Sequence, residues 1–189
     1  MSTLEVNTIT PQSGTTLTLG GSGDTIQVAS GVTNNLGITM VNQWRVNATF
    51  TNSGTNDITS NWEQVDSDGY GKIGSDMTES SGIFTFPTTG IYYIIFKTQG
   101  RANGGARTSG GGRIKITTDN SSYTTASLSA NDATGDVYNF NAFTDHVFDV
   151  TNTSTHKIKF LAHSNGSAFF DNESGLSYNS VLFLRLGDT

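Results

Sequence analysis

The side chains that could do chemistry in this chain do not stand in a catalytic pattern. Its histidines, His146, His156 and His163, show neither the His-x-x-x-His nor the Glu-x-x-His spacing of a zinc site. Serine is abundant but forms no Gly-x-Ser-x-Gly elbow, and there is no cysteine. We predict no catalytic residues and no enzyme. The enzyme alternative is a small glycan-cleaving spike, because two carboxylates near a groove would suit glycoside hydrolysis.

The pattern closest to a metal site is Asp66-Ser67-Asp68-Gly69, which is similar to the start of a calcium-binding loop. Lys72 intrudes soon afterwards, and the glutamate that should close such a loop is absent. The same residues also suit an ordinary Asp/Gly turn. We predict no cofactor and no metal, with Asp66 and Asp68 kept as calcium candidates.

Residues 100–112, GRANGGARTSGGG, combine several glycines with Arg101 and Arg107. The segment lacks the Lys-Ser/Thr of a phosphate-binding loop and leads into a predicted strand rather than a helix. It is predicted to be a flexible connection. Arg101 and Arg107 are also binding candidates, since a loop presents its side chains to an acidic glycan or a neighbouring capsid protein.

Several aromatic residues lie in polar, turn-rich sequence. Exposed rings at loop ends would stack on sugars, whereas buried rings would close the ends of a β-sandwich. The sequence leaves both interpretations open for Tyr123, Tyr138, Phe140, Phe143, Phe169 and Phe170.

Composition sets the fold class and excludes some partners. The chain has 189 residues with 22 Gly, only 2 Pro and short alternating apolar groups, which predicts an all-β fold. A net charge of −6 argues against nucleic acid as a partner. No apolar run approaches the roughly 20 residues of a membrane span, so no membrane insertion is predicted. The first residues lack a signal-peptide pattern, which predicts synthesis in a cytosol.

Residues 1–38 differ from the rest of the chain. They contain apolar-polar-apolar triplets separated by Gly-, Ser- and Asn-rich turns, and so few apolar residues cannot bury a core alone. The segment is either a disordered tether or a β-rich arm that winds with identical copies or docks on a larger assembly, and the triplets favour the arm. Its predicted attachment residues are Leu4, Val6, Leu17, Leu19, Ile26 and Val28.

Residues 39–189 form the second predicted domain, which consists of longer strands. The predicted strands are 43–48, 62–65, 82–86, 91–98, 113–117, 146–150, 156–162 and 180–186. Side chains alternate between the faces of a strand, yet the strands at 91–98 and 180–186 are apolar on both faces. Such strands need a second surface to bury against, most simply another subunit. The predicted interface residues are Tyr92, Ile94, Phe96, Leu182 and Leu184, or their opposite-face neighbours.

The segment that starts at Gly82, GIFTFPTTGIYYIIF, resembles the core pattern of C1q/TNF-like jelly-roll domains. The later strands at 113–117, 146–150, 156–162 and 180–186 resemble that family in their order, so the resemblance covers roughly 41–189. It implies a ten-stranded jelly-roll β-sandwich that assembles as a homotrimer. The number three comes from the resemblance alone.

The N-terminal sequence, LEVNTITPQSGTTLTL, resembles short structural proteins of tailed bacteriophages. The resemblance implies a virion protein, assembled in the bacterial host cytoplasm, whose N-terminal segment binds other virion proteins. We predict a short trimeric tail fibre or fibre tip with a receptor-binding head for a host-surface glycan or protein. The alternative is a trimeric capsid decoration protein that stabilises the shell.

Overall fold

The computed structural model describes residues 8–15, 17–25, 37–104, 108–133 and 139–189. The chain separates into two units, Met1–Asn34 and Asn35–Thr189. In the first unit the described residues form no strand. They contain a turn in which the Gly21 amide donates a hydrogen bond to Asp24 Oδ2 at 2.6 Å. No helix in the described ranges has the length and apolarity to cross a membrane.

The second unit is built from strands, as the composition predicts. Its described residues contain β1 (Met40–Val46), β2 (Phe50–Asp57), β3 (Trp62–Gln64), β4 (Thr78–Ser80), β5 (Ile83–Thr85), β6 (Gly90–Ala102), β7 (Thr108–Thr117), β8 (Thr124–Ala133), β9 (Asn139–Val150), β10 (Lys157–Phe170) and β11 (Ser180–Gly187). The family resemblance implied ten strands, and these residues form eleven.

The strands form two layers of one continuous antiparallel sheet. Sheet 1 has the order β3-β1-β11-β6-β9. In sheet 2, β10 is central, since it pairs with β7 on one edge and with β2 and β5 on the other. Beyond these strands, β8 pairs with β7, and β4 pairs with β5. The layers join where the end of β10 pairs with the end of β6.

Aromatic rings from both layers fill the space between them. Phe96 of sheet 1 lies 4.9 Å, centroid to centroid, from Phe160 of sheet 2. Phe84 makes edge-on contacts with Trp62 at 5.2 Å and with Phe160 at 5.4 Å. Such offset and edge-on pairs add specific attraction to the area that the rings bury. The core is therefore held by large rings that fix the spacing of the two layers.

The prediction of a flexible connection at 100–112 is wrong for the described part of that segment. β6 continues to Ala102, and β7 begins at Thr108. A Cβ at Gly110 would overlap the ring of Phe140, and one at Gly112 would lie 2.5 Å from Phe96 Cε1. These glycines are required because aromatic rings pack directly on the strand backbone.

Candidate functional site

Tyr92, Ile94 and Phe96 do not face another subunit, which corrects part of the predicted interface. All three are fully buried inside the chain's own core. Their side chains point between the two layers, where Tyr92 lies 4.7 Å from Phe86, centroid to centroid. The aromatic residues of sheet 2 cover this face of β6, so no second copy is needed to bury it.

The opposite face of β6 remains partly exposed and is apolar. Tyr93 pairs with Val147 of β9 on one side and with Leu184 of β11 on the other, and Leu184 pairs with Val41 of β1. Paired residues on neighbouring strands share a face. These side chains therefore form one row across the outside of sheet 1. Val147 is 55% exposed within the chain.

A second row runs beside the first and includes the other predicted interface leucine. Ile95 pairs with Leu182 of β11 and with Asp145 of β9. The Asp145 carboxylate accepts a hydrogen bond from the Tyr93 hydroxyl at 2.7 Å, which raises the pKa of that hydroxyl. We call the set Val41, Tyr93, Ile95, Val147, Leu182 and Leu184 the apolar face.

Sequence reasoning missed the contribution of β9 to this surface. The predicted strand began at 146, whereas β9 begins at Asn139 and places Phe143, 63% exposed, opposite Lys97. Burial lowers the pKa of Lys97. The alternation of Phe140, Ala142 and Thr144 was the available signal, but their asparagine neighbours look like a turn.

Arg101 lies in a polar pocket at one end of the sandwich, the end pocket, with a cavity volume of about 290 Å³. Its Nη1 donates to Asp171 Oδ1 at 2.6 Å, and its guanidinium carbon lies 5.1 Å from the centroid of Phe169. Burial raises the pKa of Asp171, and Arg101 partly opposes that rise. The other lining residues are Gln99, Asn139, Asn172, Glu173 and Tyr178. Arg107 lies outside the described residues.

Asn179, fully buried, connects the pocket walls. Its side-chain oxygen accepts a hydrogen bond from the Gln99 amide at 2.9 Å, and its Nδ2 donates to the Asp171 carbonyl at 2.7 Å. Tyr178 donates to Glu173 Oε2 at 3.0 Å, which raises the pKa of the tyrosine hydroxyl. The pocket therefore offers fixed donors and acceptors, the groups that recognise a polar ligand such as a sugar.

The aromatic residues left open by the sequence divide between the two interpretations. Phe140 and Phe170 are buried and close the sandwich near the end pocket, 5.3 Å apart between centroids. Phe143 is exposed, and Tyr123 is half-buried beneath the ammonium group of Lys159. Tyr138 lies outside the described residues.

The calcium candidates do not come together as a ligand set. Asp66 Oδ1 accepts a hydrogen bond from Arg45 Nη2 at 2.6 Å, and Asp68 stands on an exposed turn. Arg45 is itself buried and also pairs with Glu63 at 2.7 Å. Within 8–15, 17–25, 37–104, 108–133 and 139–189, no three His, Cys, Asp or Glu side chains form a group able to hold a metal ion.

Two of the predicted attachment residues are described. Leu17 and Leu19 are exposed and lie in backbone without strand pairing. The remaining predicted attachment residues, Leu4, Val6, Ile26 and Val28, lie outside the described residues. The attachment role of 1–38 stays a prediction.

No protein-family model matches the chain, and no curated protein matches it. Solved structures do share its fold. Murine APRIL at pH 5.0 is 14% identical with a TM-score of 0.54, over 78% of this chain and 98% of that chain. Eiger TNF from S. frugiperda is 10% identical with a TM-score of 0.57, over 81% of this chain and 95% of that chain. The likeness confirms the predicted fold class, a TNF-like jelly roll.

Proposed function

We propose that this TNF-like jelly-roll chain is a non-enzymatic structural protein of a bacteriophage virion that assembles as a homotrimer through the apolar face. The observation that carries the proposal is the row of Val41, Leu184, Tyr93 and Val147 across the outside of sheet 1. Contiguous apolar surface of this kind on a β-sheet marks an interaction site. The strands predicted at 91–98 and 180–186 are apolar on both faces, which favours a second copy of the same chain on this surface. The resemblance to C1q/TNF-like domains supplies the number three.

The preferred role is a short tail fibre or fibre tip whose jelly roll binds a host-surface glycan or protein. The end pocket supports this role, because it combines Arg101, Asp171 and Tyr178 in a cavity beside the strand ends. The carboxylate of Asp171 already carries an ion pair with Arg101, which suits binding better than proton transfer. The N-terminal segment would attach the trimer to the particle.

The alternative role is capsid decoration, in which the trimer clamps neighbouring capsid subunits. Adsorption of the purified protein to host cells favours the fibre. Loss of capsid stability in a deletion mutant, without any adsorption, favours decoration. Release of reducing sugar from host polysaccharide would replace both with a glycan-cleaving spike.

Self-assembly through the apolar face is tested by Val147→Asp. Burying an unpaired carboxylate between subunits is unfavourable, so we expect the dissociation constant of the trimer to rise about 100-fold or more. The measurement is sedimentation equilibrium of the full chain, with circular dichroism to confirm that the variant folds.

The matched control is Leu128→Asp, an equally exposed apolar side chain on β8 of sheet 2, at 59% against 55% for Val147. The control should remain a trimer at the same concentrations. A monomeric wild-type protein, or equal dissociation of both variants, contradicts the proposed interface.

A further inference from the structure

The outer face of sheet 2 gathers positive charge on an acidic chain. The whole chain has 10 Lys and Arg against 16 Asp and Glu. Four of these basic residues stand on two neighbouring strands, β10 and β7. We call Lys157, Lys159, Arg113 and Lys115 the basic strip.

The register of β10 against β7 puts the strip on one surface. Lys159 pairs with Lys115, and Leu161 pairs with Arg113. Adjacent strands lie about 4.8 Å apart, and side chains two residues apart on one strand are about 6.6 Å apart on the same face. The intervening residues, Ile158 among them, are buried in the core. The charged ends therefore line up along the outside of the sheet.

Few carboxylates within the described ranges neutralise this strip. Lys159 pairs with Asp57 at 3.0 Å and stands 4.2 Å above the ring of Tyr123. The Lys157 ammonium donates to the Thr153 carbonyl at 2.7 Å. The remaining strip residues form no ion pair with any described residue. Positive charge is left in excess on this surface.

One strip residue also carries a donor that lacks an acceptor. Arg113 Nε is buried and has no hydrogen-bond partner among the described residues. A buried charged donor without an acceptor is costly, and a small shift toward a bound anion would satisfy it. Nearby, Asp119 Oδ1 accepts hydrogen bonds from the backbone amides of Ser121 and Ser122. The pKa of His163 is lowered by burial and by the positive charge of Arg113.

We propose that the basic strip binds an anionic polysaccharide, whose carboxylate, sulfate or phosphate groups would pair with successive strip residues. The ligand class rests on the proposed receptor-binding role, and the strip itself rests on the register and charges above. An extended sugar chain suits this strip, since repeating anionic groups can meet charges on both strands.

Duplex nucleic acid fits this surface less well. Its charge density, about one phosphate per 1.7 Å of axis, requires a broad basic footprint. Here the strip is two strands wide on a chain of net charge −6, so acidic regions would repel a wide, densely charged rod. A single polysaccharide chain can follow the strip and avoid them.

Binding of the full chain to polygalacturonate, dextran sulfate and neutral dextran tests the proposal by biolayer interferometry. We expect binding to at least one charged polymer, weakening as salt rises because the attraction is screened. Neutral dextran should not bind. Lys115→Gln should weaken binding about tenfold, the size of one lost charge-assisted hydrogen bond.

Lys72→Gln is the matched control, because it changes the net charge equally at a solvent-exposed lysine outside sheet 2. It should change binding less than about twofold. Equal losses in the two variants overturn the proposal. So do the absence of binding to both charged polymers, equal binding to neutral dextran, and tighter binding to duplex DNA.

Adsorption to host cells separates this inference from the proposed function. Polysaccharide binding that Lys115→Gln weakens, without adsorption to cells, supports the strip and contradicts the receptor-binding role. Adsorption that Lys115→Gln leaves unchanged, with no polysaccharide binding, overturns the strip and leaves the receptor-binding role intact.

Discussion

Individual glycines of β7 leave space for aromatic rings that pack directly on the strand backbone. Gly110 lies against the ring of Phe140, and Gly112 lies against Phe96. A glycine inside a strand usually weakens it, because it adds chain entropy and no side chain to pack. Here the missing Cβ lets a ring rest on the backbone, and a run that looks like a linker is part of the core.

Gly110→Ala should destabilise the protein by about 1–3 kcal/mol, because the added methyl group forces Phe140 to move in a packed interior. Urea unfolding followed by tryptophan fluorescence measures the change. The control is Gly71→Ala, where an added Cβ meets no atom within 4 Å. Equal stability of Gly110→Ala and wild type would show that the ring has free space around it.

Asp171 predicts a pH dependence, because its folded-state pKa is raised by burial despite Arg101. A carboxyl whose pKa is higher in the folded state stabilises the fold below the unfolded pKa, and this contribution is lost as pH rises through the folded pKa. Asp171→Asn removes that titration. We expect the unfolding free energy of the variant to increase relative to that of the wild type as the pH rises from about 4, the ordinary pKa of an aspartate, towards neutral.

Chemical denaturation of both proteins across that pH range gives the comparison. Asp68→Asn, at an exposed turn position, is the control and should follow the wild type. A constant difference between Asp171→Asn and wild type at every pH would contradict the assigned cause.

Strands formed by apolar runs can be predicted from the sequence, whereas strands formed by polar residues cannot. Every predicted strand overlaps an observed one. β2, which reads FTNSGTND, and β8, which reads TTASLSANDA, were missed because their Asn, Ser, Gly and Asp residues are typical of turns. Pairing with β10 and β7 makes them strands, and that partner choice is a long-range effect that local sequence does not contain.

The two faces of β6 show a second limit of sequence reasoning. Both faces of its central part are apolar, so alternation predicts two buried surfaces but not which one is internal. The aromatic rings of the core determine which face of β6 is internal. They pack on the face that carries Tyr92, Ile94 and Phe96. These rings belong to Phe84, Phe160 and Phe183. The sequence indicated Arg101 as a binding candidate on a loop, but it did not predict the end pocket, in which Arg101 stands on β6. Its partner Asp171 follows β10, about 70 residues later in sequence.

For the molecule as a whole, the proposed roles assign different surfaces to different partners. The apolar face belongs to sheet 1, and the basic strip belongs to sheet 2. Because the two sheets are the opposite outer layers of the sandwich, trimer formation would leave the basic strip accessible. An assembled particle would therefore present several strips together, and avidity would strengthen weak single contacts.

Removal of residues 1–38 tests whether attachment to the particle depends on the N-terminal segment while folding and trimer formation depend on the later residues. All eleven described strands lie after residue 38, so we expect the truncated protein to fold and to remain a trimer. It should fail to join virus particles, because the proposed attachment residues are gone. Sedimentation and particle incorporation assays measure the two effects. A monomer after truncation would mean that the N-terminal segment, and not the apolar face, holds the subunits together.

The placement of β11 determines when the domain can fold. β11 lies between β1 and β6, so sheet 1 has a gap at its centre until residues 180–187 are available. During synthesis, β1 and β6 would expose unpaired edges that can join other chains. Folding of this domain must then wait until residues 180–187 have been synthesised, because a chain that stops before them lacks the strand that joins the two halves of sheet 1. Only copies that contain β11 would be able to enter the proposed assembly.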